Sequence, residues 1–383
     1  MKPSVYLDYA AATPLDPRVL AEMEPFFSEK FYNPSATYLA ARGVKQDLAS
    51  ARTTLAGLLG TRPAEIIFTA GATEANNLAI QGVMRAYAEA EILASAIEHS
   101  SVLEVAKQFP HKVIPVDKQG IVELNQLEKL VSDKTVLISI MLVNNAFGTI
   151  QPLAEVAKIL NKLSIARKTA GNSLPLYLHT DAAQAGNYLD LHTSRLGVDL
   201  MSINGGKIYG PKQAGALYIK TGTKLDALMF GGGQEFGLRP GTENTAGAVG
   251  LAKALELAQT GRRPAVQRVG ELRDLFINGL GKLELEVYIN GSPKHMAPHI
   301  LSVTFAGQDN ERLMMELDEA GVICGVGSAC SASSSLPSQA LSAIGLADSA
   351  ARSSLRFSLG KATTQKDIKI TLDLLAKLTA PNR

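Results

Sequence analysis

The chain has 383 residues, 46% of them hydrophobic, with 38 Lys and Arg against 36 Asp and Glu for a formal charge of +2. That is enough apolar material for two domains of ordinary size, and it excludes a small disulfide-stapled scaffold. The balanced charge, with no basic stripe interleaved with aromatics, argues against nucleic acid and for small molecules or protein partners.

The opening MKPSVYLDYAAATP lacks the apolar core of a signal peptide. From about Ser50 to Lys220, β-rich runs alternate with helical segments, the pattern of a mostly parallel sheet wrapped by helices, so the fold class is α/β. The expected strands are Glu65 to Thr69, Glu91 to Ala94, Lys112 to Pro115, Thr135 to Leu142, Leu176 to His179, Leu200 to Ile203 and Ala214 to Ile219. The most apolar stretch, Thr135 to Val143, is too short to span a bilayer, and the protein reads as soluble and cytoplasmic, with no membrane partner. Ala254 to Val266 turns polar and Gly/Pro-containing, which marks a domain boundary. Beyond it the order becomes helix, strand, strand, helix, loop, strand, helix.

Four segments carry candidate chemistry. In Phe68-Thr69-Ala70-Gly71-Ala72-Thr73-Glu74 a strand breaks at small residues before a helix, which offers free N–H groups and a hydroxyl to a phosphate; Thr73 equally fits an ordinary cap. In His179-Thr180-Asp181-Ala182-Ala183-Gln184 the carboxylate at a strand end either caps a following helix or, given a pyridine ring in the crevice, holds its nitrogen protonated. Lys207 follows a strand among glycines, where a ligand can approach the backbone, and this suits a Schiff-base role; most lysines are simply solvated. Only two cysteines occur, both read as free thiols: Cys330 lies among glycines and serines in a loop, the setting of a reactive thiol, whereas Cys324 ends an apolar run and reads as packing.

Taken in order, YLDYAAATP, FTAGATEANNLAI, IEHSSV, VNNAFGTIQP, HTDAAQAG, GGKIYGPKQAGALY, GGGQEFGLRPGTEN, GVGSACSASSSLPS and SSLRFSLGKATT resemble the cysteine desulfurases, in the class V aminotransferase-like branch of fold type I pyridoxal-phosphate enzymes. The resemblance spans nearly the whole chain, and Ser328 to Thr364 is similar to the subgroup with a long catalytic-cysteine loop. It implies a large cofactor domain over 17–261 and a smaller α+β domain from 1–16 and 262–383, with the cysteine loop at about 324–338. It further implies that Lys207 carries pyridoxal 5'-phosphate, Asp181 pairs with its ring nitrogen, and His99 stacks on the ring and helps move protons. Ala72, Thr73 and Asn204 lie on the phosphate side, joined by Thr242 from the second subunit of a homodimer. Asn145 and Gln184 meet the cofactor's oxygen or the substrate, and Arg356 forks onto the carboxylate of L-cysteine. Cys330 then takes the sulfur as a persulfide, leaving L-alanine, and passes it to an acceptor protein such as an iron-sulfur scaffold; no metal is implied.

Departures from the family pattern are Gly206 for histidine, Asn204 for serine, Ala146 in VNNA, Phe236 in QEFG and Tyr32 in YNPS. The first two alter phosphate-side contacts. Related readings are selenocysteine lysis, transamination, or a scaffold protein without catalysis.

Overall fold

The computed structural model describes residues 5–326 and 338–380. Twelve strands occur among them: β1 (Val5–Tyr6), β2 (Ile66–Thr69), β3 (Glu91–Ser95), β4 (His111–Ile114), β5 (Thr135–Ser139), β6 (Tyr177–Asp181), β7 (Leu200–Asn204), β8 (Gly215–Ile219), β9 (Val287–Asn290), β10 (Ile300–Phe305), β11 (Val322–Ile323) and β12 (Ser354–Ser358). Seven form the main sheet in the order β2-β8-β7-β6-β5-β3-β4. Only β8 runs antiparallel to its neighbours; the other pairs are parallel.

The aliphatic runs make this sheet because both of its faces are covered. β5 and β8 are buried at all five positions. Alternation along the strands sends Leu93, Ile138, Met201 and Ala216 into one core cluster and Ile92, Leu137, Leu200 and Leu217 into another on the opposite face. The α/β architecture expected from the sequence is the one observed. Strand ends differ by a residue or two, except that the run expected to reach Leu142 stops at Ser139. Its neighbour β3 ends at Ser95, so beyond that level the main-chain ladder continues on the β6 side.

The remaining strands build a smaller body. β12-β10-β9 form an antiparallel sheet, and a third cluster including Phe276, Phe305 and Phe357 fills the space between it and its helices. Residues 254–266, read as a boundary, hold the end of helix Thr245–Thr260, then Gly261, then the start of helix Arg262–Leu280. The N-terminal segment belongs to both bodies. β1 pairs with β11, and Leu7 accepts from Ser358 N at 2.7 Å. A few residues on, the Thr13 hydroxyl donates to Gly206 O and accepts from Tyr209 N. Among the described residues no helix is long and apolar enough to cross a membrane.

Candidate active site

Parallel strands end together, so the loops after β3, β5, β6 and β7 meet at one edge of the sheet. Asp181 is the last residue of β6, paired in register with Ser202 of β7. The next helix after it begins only at Thr193, so Asp181 caps no helix. Its Oδ1 accepts from Ala183 N at 2.9 Å, a local Asx turn, and its Oδ2 accepts from Asn76 Nδ2 at 2.8 Å. Asn76 also donates to Ser101 Oγ at 2.9 Å, and the same hydroxyl lies 2.9 Å from His99 Nδ1. His99 caps helix Ser100–Ala106 by accepting from Ser101 N at 3.1 Å. With Nδ1 an acceptor, the neutral ring carries its proton on Nε2. A polar chain thus runs from His99 to Asp181.

β7 ends at Asn204, whose Oδ1 accepts from Gly206 N at 3.1 Å and opens the turn Gly205–Lys207. The half-buried Lys207 reaches back to the N-terminal segment, where Nζ donates to Ala10 O at 3.0 Å and to Ala11 O. Gln184 Nε2 donates to the same Ala10 carbonyl at 2.9 Å, so lysine and glutamine converge on one point. Behind Gln184, at 3.4 Å from its Oε1, sits buried His299. His299 stacks on Tyr188 with centroids 4.2 Å apart, and burial, aided by Arg356, pushes its pKa down to about 3.

Helix Ala72–Ala86 starts beside this turn. Its N-cap is Gly71, no side chain caps it, and Thr73 is exposed, so the capping role open to Thr73 is not taken. The first-turn N–H groups are thereby left to an anion. Gly215 permits this approach: a Cβ there would stand 2.6 Å from Gly71 Cα. Glu74 accepts from Ala70 N and pairs with Arg239 at 3.0 Å, which holds the segment containing exposed Thr242 near the helix start.

Arg356 lies in the middle of β12, 2% exposed. Its Nη2 donates to Asp8 Oδ1 at 2.7 Å and its Nη1 to the carbonyl of half-buried Asn145 at 2.9 Å, while the buried Nε has no hydrogen-bond partner. Cys330 and most of its loop fall outside the described residues. Cys324 is buried in the smaller core, and burial, reinforced by Asp8, pushes its thiol up to about 12, as suits packing. Sequence reasoning missed Asp8, Asn76, Glu98 and His299. Asp8 and His299 are each a polar side chain in a largely apolar or small-residue run, which was the signal available; Asn76 and Glu98 have polar neighbours and carried none.

A family model described as Aminotransferase class-V matches residues 5–370. A protein of Dictyoglomus turgidum named "Cysteine desulfurase IscS" is 42% identical over 385 residues, covering 99% of this chain and 95% of its own. A solved structure named "NIFS-LIKE PROTEIN" superposes with a TM-score of 0.90 at 33% identity, over 98% of this chain and 99% of that one. Another, "SspA in complex with cysteine", gives a TM-score of 0.80 at 34% identity, over 93% and 99%.

Proposed function

Because the chain belongs to the cysteine desulfurase family of the class V aminotransferases, we propose that it binds pyridoxal 5'-phosphate between Asp181 and Lys207 and uses Cys330 to take sulfur from L-cysteine. The observation that carries this reading is the juxtaposition of a buried carboxylate and a lysine at the ends of two adjacent parallel strands, beside a helix start that no side chain caps. These residues fit the cofactor: Asp181 for its ring nitrogen, Lys207 for its aldehyde carbon, His99 for its ring face, Gln184 and Asn145 for its phenolic oxygen or the substrate. Ala72, Thr73 and Asn204 fit its phosphate. When bound, the pyridinium ring supplies an electron sink for the substrate's α-carbon.

The rest falls to the chain's own groups. Asp181 would offer its carboxylate to the ring nitrogen, oriented by hydrogen bonds from Asn76 and from Ala183 N. The Lys207 amine, poised over Ala10 and Ala11, moves the α-proton once it is free to act as a base. Arg356 takes the substrate's carboxylate on the N–H groups that Asp8 and Asn145 leave over. Cys330, as thiolate, attacks the substrate sulfur: an S–S bond forms, the C–S bond breaks, and its electron pair stays with the carbon that becomes alanine. The persulfide then passes to an acceptor protein in the reducing cytoplasm.

A homodimer completes the assignment, with Thr242 serving the neighbouring subunit's phosphate. Exposed Phe27, Phe31, Phe230 and Phe236 support it, since a second copy would cover that apolar surface. The test is alanine and sulfide release from L-cysteine with a reductant present. A yellow protein that releases both, and loses colour and activity as Lys207→Ala, supports the function; a protein that stays colourless after incubation with the cofactor contradicts it.

A further inference from the structure

Past Ser139 the chain leaves β5 but keeps half of its ladder. Ile140 N and Leu142 N donate to the His179 and Asp181 carbonyls of the β6 side, at 3.0 and 2.9 Å. Met141, between them, turns its N–H the other way, toward β3. That strand has ended at Ser95, so no main-chain acceptor continues the ladder there, and a buried amide needs one. Oε1 of Glu98 takes the bond instead, at 2.6 Å. Asn144 adds a second stitch: Nδ2 donates to Ile97 O at 2.9 Å, while Oδ1 accepts from the amides of Ala146 and Phe147. The segment fixed in this way leads directly to the Asn145 carbonyl that receives Arg356.

We propose that Glu98 is a positioning residue for substrate recognition: by standing in for the missing ladder acceptor at Met141, it sets the Asn145 carbonyl and hence the guanidinium of Arg356. This rests on the assignment of Arg356 to the cysteine carboxylate. Glu98 works as a neutral acid. It is buried, its Oε2 has no hydrogen-bond partner, no ion pair reaches it among the described residues, and the nearby charge of Asp181 is negative. An unpaired carboxylate in such surroundings takes up a proton, and Oε1 remains an acceptor. Glutamine therefore reproduces the contact, whereas aspartate falls one methylene short of Met141 N.

Steady-state kinetics with L-cysteine on E98Q, E98D and R356K test this, together with hydrogen exchange at the Met141 amide. R356K should raise KM about tenfold, and E98D about fivefold with kcat within about twofold, the size of one lost hydrogen bond. E98D should also speed exchange at Met141, while E98Q restores both KM and protection. If R356K raises KM but E98D does not, or if E98Q is as impaired as E98D, Glu98 has no such role. If R356K leaves KM unchanged, the Arg356 assignment itself fails and takes the proposal with it.

Discussion

Replacing Gly206 with histidine should tighten cofactor binding. The backbone at Gly206 lies outside the left-handed region, and a Cβ built there meets nothing closer than Asn204 Oδ1 and Lys212 Cγ, each at 3.6 Å. Lys212 is exposed and can move aside, so a Cβ is accommodated at this position. From this position, two residues beyond the end of β7 and next to the lysine, an imidazole would supply the donor that glycine lacks. A charge-assisted hydrogen bond to phosphate contributes about 1.5 to 3 kcal/mol, and ordering the ring costs up to about 1 kcal/mol. The net of about 0.5 to 3 kcal/mol corresponds to an affinity gain of about two- to 150-fold. Equilibrium titration of the resolved protein with pyridoxal phosphate, followed by visible absorbance, measures it. Unchanged or weaker binding would mean that the phosphate does not face Gly206 and that the placement of the helix start as its seat is wrong.

Four further outcomes follow from particular contacts. Lys207→Ala should abolish covalent cofactor attachment, checked by borohydride reduction and peptide mapping; a labelled lysine elsewhere would refute it. Brief alkylation of the native protein should label Cys330 and spare Cys324, whose thiol is held up to about 12 by burial. Arg52→Met should cost about 3 to 5 kcal/mol in urea unfolding, because Arg52 and Glu235 form a buried two-bond pair at 2.7 and 2.6 Å and the glutamate would be stranded. His179 and His299 are both held near 3 by burial, so the unfolded chain protonates them below about 6.5 while the folded one does not. Their contribution is complete above that pH and declines as pH falls toward 3. Moving from pH 7.5 to 5.5 should therefore cost about 1.4 kcal/mol per histidine, and His299→Asn should remove its share of the slope.

The sheet was legible because strands buried on both faces read as unbroken aliphatic runs, and the placement of Asp181 and Lys207 at or just past strand ends was legible because each follows such a run. What escaped is non-local. Asp8 and Arg356 are paired across 348 positions, and Arg52 and Glu235 across 183, separations at which no periodicity relates two side chains. β1 and β11 have two residues each, too few to show alternation. The early end of β5 depends on where β3 stops, and the apolar residues Ile140 to Val143 carry no trace of that. Thr73 had the side chain of a cap, but Gly71 took the position, where the backbone has a φ of +133° that side chains rarely adopt.

Mass spectrometry of the Cys330 peptide after exposure to L-cysteine tests the central claim most directly. The account predicts one extra sulfur on Cys330 with stoichiometric alanine, none on Cys324, and neither product from Cys330→Ser, although that variant should still bind the cofactor and change its spectrum with cysteine. Equal loss in Cys324→Ser and Cys330→Ser, or sulfur release that survives Cys330→Ser, would contradict it.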